Sequence, residues 1–206
     1  MVIDKLSEDA FLIKDLFSHQ DIDDVTSEFF SGYNSYMMKR ETTATEVDPR
    51  WMALHKVGEY QGDNIKLLSY APRITVAIKK AIRPPFPIKL ARCNTNLQFK
   101  YQDSTFHHDG FVKTRDNKTY QIWSWTFLLF AQLDWNTQWG GEFCYQDMKG
   151  NYKYVPYIPG NCVLFNGWLQ HKGNAPNTMA PLVRSTVAWT YTSEDYNVDW
   201  RYPNIG

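Results

Sequence analysis

Phe106-His107-His108-Asp109-Gly110 is the stretch that decides how this chain is read. His107 and Asp109 stand two residues apart, so on a β-strand both side chains leave the same face. An imidazole and a carboxylate on one face make two thirds of a two-histidine, one-carboxylate site. That donor set suits non-haem Fe(II) and leaves coordination positions open. The third ligand must then be a histidine from elsewhere, and the chain has five in all: His19, His55, His107, His108 and His171.

Working outward, Trp139-Gly140-Gly141-Glu142 comes next, then Pro159-Gly160 with Val163-Leu164-Phe165, then His171, then Arg184-Ser185-Thr186. H-x-D, Gly-Gly-Glu, Pro-Gly, a distal histidine and Arg-x-Thr in this order resemble the Fe(II)- and 2-oxoglutarate-dependent dioxygenases. Within them the run is similar to the prolyl-4-hydroxylase-like branch, in the short form carried by bacteria and phages. The resemblance extends over residues 92–191. It implies a metal site of His107, Asp109 and His171, with 2-oxoglutarate and O2 as co-substrates and ascorbate as a reductant. Turnover would hydroxylate a C–H bond and release succinate and CO2. A carboxylate at Asp109 argues for hydroxylation, since halogenating members carry a small residue there. Arg184 is expected to grip the far carboxylate of 2-oxoglutarate, because its planar fork makes parallel charge-assisted bonds. Thr186, on the same strand face, adds a hydroxyl. The resemblance also implies co-substrate contacts from Tyr101, and from Thr126 or Gln132 where a family tyrosine is replaced by Phe130. The catalytic set is thus His107, Asp109, His171 and Arg184, with Arg184, Thr186, Tyr101 and Thr126 as co-substrate contacts.

The flanking chain frames this site. Phe11, Leu12, Leu16, Ile22, Val25, Phe29 and Tyr33 recur at helical spacing, so the first forty residues are expected to be helical. Ser18 or Asp21 is placed to cap the second helix. Residues 40–48 form a polar loop. A further helical block spans Asn64 to Ile82, with Pro72 opening a turn, and His19 and His55 fall in this helical part as structural or exposed residues. Pro84-Pro85-Phe86-Pro87 excludes both helix and central strand and marks a border. From Ile88 the period becomes two. Asn94, Asn96, Gln98 and Lys100 share a polar face, which a buried strand tolerates where that face lines a wet cavity. Trp123–Leu133, a hairpin turning near Gly150-Asn151, Asn161–Phe165 and Arg184–Tyr191 supply further strands. His108 faces away from the site. Asn166, Trp168 and Trp189 are candidate walls, and Ala175–Met179 a long turn.

The expected fold is mostly β with N-terminal helices: a double-stranded β-helix, the jelly-roll or cupin-like core. One domain of 206 residues is expected: helical support over 1–87, a catalytic core over 88–192 and a tail over 193–206. An aromatic content of 16% fits a strand-rich core with a lined pocket. Twenty-two basic against 22 acidic residues counts against a nucleic-acid binder, and with it a nucleic-acid demethylase. No apolar run approaches the roughly 20 residues of a membrane span, and the amino terminus carries no secretory pattern. Cys93, Cys144 and Cys162 form no C-x-x-C pair and read as buried reduced thiols of a cytoplasmic protein. The substrate is expected to be a prolyl residue of a protein or peptide, or else a free amino acid or other small molecule. A non-catalytic cupin-like binding protein is the rival class, and it leaves Arg184 and Thr186 without a carboxylate to hold. Oligomeric state is not readable.

Overall fold

The computed structural model describes residues 1–29, 37–38, 51–55, 65–115 and 117–193. The polar loop over 40–48 and the tail from 194 lie outside them.

The chain begins with a hairpin, β1 (Val2–Ser7) and β2 (Ala10–Lys14), where helix was expected. The reason is tertiary. Ala10 to Ile13 pair with Phe165 to Cys162, some 150 residues along, and two-residue alternation then serves both faces. Phe11 and Ile13 enter one core, and Ala10 and Leu12 the other. Helix α1 (His19–Phe29) follows with Ser18 as its cap. The Ser18 hydroxyl accepts from the Asp21 amide at 3.1 Å, while the Asp21 carboxylate accepts from the Ser18 amide at 2.8 Å. This is a reciprocal capping box. Next come β3 (Met37–Met38), β4 (Trp51–His55), α2 (Ile65–Ser69) and α3 (Ala71–Ile82), with Pro72 in the first turn of α3. His55 therefore lies on a strand, paired with Cys93, and not in a helix; His19 begins α1.

Beyond the proline border run β5 (Ile88–Gln98), the hairpin β6 (Phe111–Arg115) and β7 (Lys118–Ile122), and β8 (Ser124–Phe130). A short 3-10 turn at Thr137–Trp139 precedes β9 (Phe143–Gln146), β10 (Tyr152–Val155), β11 (Cys162–Asn166), β12 (His171–Gly173) and β13 (Arg184–Ser193). The large sheet has the order β1-β2-β11-β8-β13-β5-β4-β3 and faces a small sheet β10-β9-β12. Antiparallel pairing and long crossovers between facing sheets make this a jelly roll. Four strands of the large sheet come from before residue 88, so the N-terminal part builds the core as well as bracing it.

Two apolar layers hold the strands. The helices cover the outer face of the large sheet, where Ile74, Ile78, Trp189, Phe127 and Leu164 are buried. Between the sheets, Phe143, Phe165, Tyr157 and Val163 fill one end. The other end is left to polar side chains. All three cysteines are free and buried, and burial pushes the Cys93 and Cys162 thiols up, keeping them protonated.

Candidate metal centre and its cavity

His107 and His171 form an antiparallel bridge. Each amide donates to the other's carbonyl at 3.0 Å, the closed ring of a hydrogen-bonded pair. Their imidazoles consequently leave on one side, with ring centroids 4.4 Å apart. Each Nδ1 then meets a carbonyl two residues earlier: Thr105 O at 2.8 Å for His107 and Leu169 O at 2.9 Å for His171. A carbonyl only accepts, so Nδ1 carries the proton and Nε2 keeps a bare lone pair, the tautomer a metal ligand needs.

Asp109 completes the set, its amide bonded to Gly167 O at 2.8 Å. Its Oδ2 lies 3.7 Å from His171 Nε2, and ligand atoms of His107, Asp109 and His171 all fall within 4.8 Å of one another. Burial works to raise the Asp109 pKa. His171 and His107 in their protonated forms and the Arg92 guanidinium, with a hydrogen bond from Thr126, outweigh it and hold the carboxyl well below the usual range. Two nitrogen donors of fixed tautomer and one ionised oxygen suit a borderline divalent ion such as Fe(II).

The three open into a cavity of about 190 Å³ between the sheets, walled by Leu128, Phe143 and Phe165. Its polar side comes from the alternation seen in β5. Gln98, Asn96, Asn94 and Arg92 lie opposite Arg184, Thr186, Ala188 and Thr190 of β13. Asn94 donates to Asn96 at 3.2 Å, and Asn96 to the Thr186 hydroxyl at 3.5 Å. At the floor sits Arg184, only 2% exposed. Its Nε donates to Gly141 O at 2.7 Å and its Nη1 to Gln98 Oε1 at 2.5 Å, and its guanidinium lies 5.6 Å from the Tyr157 ring centroid. The Gly-Gly pair is what lets this happen. Gly141 has φ +82°, and a Cβ there would stand 3.1 Å from the arginine Cδ.

Solved structures share this architecture. A prolyl hydroxylase from Trichoplax adhaerens, in complex with a hypoxia inducible factor oxygen degradation domain peptide fragment, superposes with TM-score 0.68 at 14% identity, covering 91% of this chain and 85% of that one. HygX from Streptomyces hygroscopicus, with nickel, 2-oxoglutarate and hygromycin B bound, gives 0.64 at 14% over 93% and 85%. A prolyl-4-hydroxylase from Pseudomonas putida gives 0.59 at 14% over 89% and 91%. The fold is that of the Fe(II)- and 2-oxoglutarate-dependent oxygenases. No protein-family model matches the sequence, nor does any curated protein.

Within this oxygenase fold, His107, Asp109, His171, Arg184 and Thr186 line one cavity. Tyr101 does not join them: it is 79% exposed on a turn with φ +64° just past the end of β5. Thr126 turns its hydroxyl to Asp109 Oδ2 at 3.0 Å, so it serves the metal ligand and is not among the residues lining the cavity. Gln132 accepts from Ser185, and Phe130 stacks on Tyr157, both behind the wall. His108 points outward to Gln170. Trp189 is packed under the helices with its indole on Leu67 O, Trp168 bonds to Ile122 O, and Asn166 faces Asp9. The Ala175–Met179 segment folds back on Trp139 and Gly140. Arg92, 3.0 Å from Asp109, is the residue the motif reading passes over. The signal for it is in the sequence, two residues ahead of Asn94 on the same polar face.

Among the described residues no helix is long and apolar enough to cross a membrane.

Proposed function

We propose that this chain is a non-haem Fe(II)- and 2-oxoglutarate-dependent dioxygenase that hydroxylates a prolyl residue of a protein or peptide. The observation that carries this is the meeting, in one cavity, of the His107, Asp109 and His171 donors with a buried guanidinium. His107 and His171 would hold the ion through Nε2 and Asp109 through Oδ2. When bound, iron with 2-oxoglutarate supplies the oxidising chemistry that puts one oxygen of O2 on the substrate and the other into succinate, with loss of CO2.

The chain's own residues do the rest. Arg184, oriented by Gly141 O and Gln98, grips the distal carboxylate of 2-oxoglutarate, and Thr186 adds a hydroxyl donor. Leu128, Phe143 and Phe165 give the space between an apolar wall, and the lower local dielectric strengthens that ion pair. A cavity of about 190 Å³ suits a small diacid and falls short of the roughly 300–1,000 Å³ of pockets that enclose drug-sized ligands. The primary substrate would therefore present one group at the mouth, as a residue of a peptide does. The likeness to HygX, solved with hygromycin B bound, favours a second reading in which a small molecule presents that group. A cytoplasmic setting, where reduced iron and 2-oxoglutarate are at hand, accords with both.

The test is succinate formation from 2-oxoglutarate on addition of Fe(II) and ascorbate. We expect turnover from the unaltered protein and background from His107→Ala and His171→Ala; either variant working at the normal rate sinks the proposal. Mass spectrometry of peptides and metabolites exposed to active and His171→Ala protein then separates the two substrate classes by which pool gains an oxygen.

A further inference from the structure

We infer that Arg92 is a positioning residue for the metal centre: it holds the outer oxygen of the Asp109 carboxylate, so that only Oδ2 is offered to the ion. The inference rests on the metal-centre reading above and goes beyond it, since no motif assigns Arg92 a role. Arg92 leaves β5 on the cavity side, opposite Thr190 of β13. Its Nη2 lies 3.0 Å from Asp109 Oδ1, with the Thr190 hydroxyl at 3.4 Å and the Asp109 carbonyl at 3.5 Å. The guanidinium sits 5.4 Å from the centroid of the Phe111 ring, which limits where it can swing. On the other side of the carboxylate, Thr126 donates to Oδ2 at 3.0 Å and shares a 3.2 Å contact with Thr190. Arg92, Asp109, Thr126 and Thr190 thus close a ring around one carboxylate, and each oxygen has its own partner.

That ring has a chemical consequence. A carboxylate binds an ion through one oxygen or through both. Three donors on one face leave positions open for two co-substrates, and a carboxylate that rolled over to offer both oxygens would occupy one. Charge-assisted pairing of Oδ1 with a guanidinium opposes that roll, because breaking it leaves the partly buried Arg92 charge without its carboxylate partner. Groups behind metal ligands commonly govern affinity in this way. Simple neutralisation of Asp109 would ask only for a positive charge nearby; the geometry here fixes a particular oxygen.

Cobalt(II) titration of the metal-free protein, without co-substrate, reads the effect directly. Calorimetry gives the affinity and the visible absorption bands report the coordination. For Arg92→Met we expect affinity to fall about 10- to 100-fold, with altered bands. We expect Arg92→Lys to recover part of both, since it restores one charged donor without the planar fork. In the iron-loaded enzyme kcat should fall while the KM for 2-oxoglutarate, set at Arg184, moves little. Circular dichroism checks folding, and Arg92→Gln, shorter and uncharged, replaces the methionine variant if that does not fold. An Arg92→Met or Arg92→Gln protein with unaltered cobalt affinity and spectrum overturns the inference while leaving the metal centre standing. If the unaltered protein takes up no cobalt, or His171→Ala takes it up equally well, the metal-centre reading itself falls and this inference with it.

Discussion

Strand β13 is buried on both faces, and the two could hardly differ more. Outward, Val187, Trp189 and Tyr191 pack beneath the helices, Trp189 stacked on Phe17 with centroids 6.1 Å apart. Their polar tips end on helix carbonyls, the indole on Leu67 O at 3.0 Å and the phenol on Ala71 O at 2.9 Å. Inward, Arg184, Thr186, Ala188 and Thr190 meet the polar face of β5 and the cavity. Period-two geometry lets one strand carry stability on one side and chemistry on the other. The two functions are therefore separable by substitutions one residue apart.

The largest expected effect is on the outer face. Trp189→Ala should cost about 3–5 kcal/mol in urea unfolding, a large part of the roughly 5–15 kcal/mol that holds a domain together. The molecules that remain folded should bind metal and 2-oxoglutarate as before. A variant of normal stability, or one with weakened binding at full folding, breaks the division of faces. On the inner face, Arg184→Ala should raise the 2-oxoglutarate requirement on the order of 100-fold, the scale of losing one partner of a buried charge pair. Its metal affinity should hardly move, and equal weakening of both refutes the assigned role. Ala188→Leu sharpens the contrast with its neighbour Trp189. It should fill part of the cavity and raise the 2-oxoglutarate KM about tenfold, with the urea midpoint little changed.

The inner face was also the more legible in the sequence. Histidine is rare here, five in 206 residues, and the family resemblance carried by H-x-D, the distal histidine and Arg-x-Thr singles out His107, Asp109, His171, Arg184 and Thr186, which line one cavity. The polar alternation at Asn94, Asn96 and Gln98 announces the cavity wall. Arg92 escapes because what gives it meaning is a neighbour, Asp109, reached only through the folded sheet. Tyr101 misleads because the strand ends at Gln98 and the chain turns, with Gln102 bonding back to Phe99. Short apolar runs such as Phe11-Leu12 fit helix or strand equally, and pairing with β11 decides for strand. The three-residue β12 carries no periodicity at all, yet it places His171.

The smallest effect tests the outer layer alone. Asp21 does two things there: it caps α1 with Ser18, and both its oxygens take Arg73 of α3 at 2.9 Å. Arg73 is itself held 5.0 Å from the Phe17 and Tyr70 ring centroids. The hydrogen bonds from Arg73 chiefly hold the Asp21 carboxyl well below the usual carboxylate range. A carboxyl depressed on folding adds stability that is full above its unfolded pKa, about 3.9, and disappears as pH falls through the folded value. Asp21→Asn should thus cost about 1–2 kcal/mol at pH 7, and the gap from the unaltered protein should shrink steadily below about pH 4. Urea unfolding at a series of pH values measures it, with metal affinity at pH 7 as the control that should not change. A gap that stays constant into acid would mean that the loss does not come from the carboxylate's charge. The helices would then be held on the sheet by apolar packing, with the ion pair contributing nothing measurable.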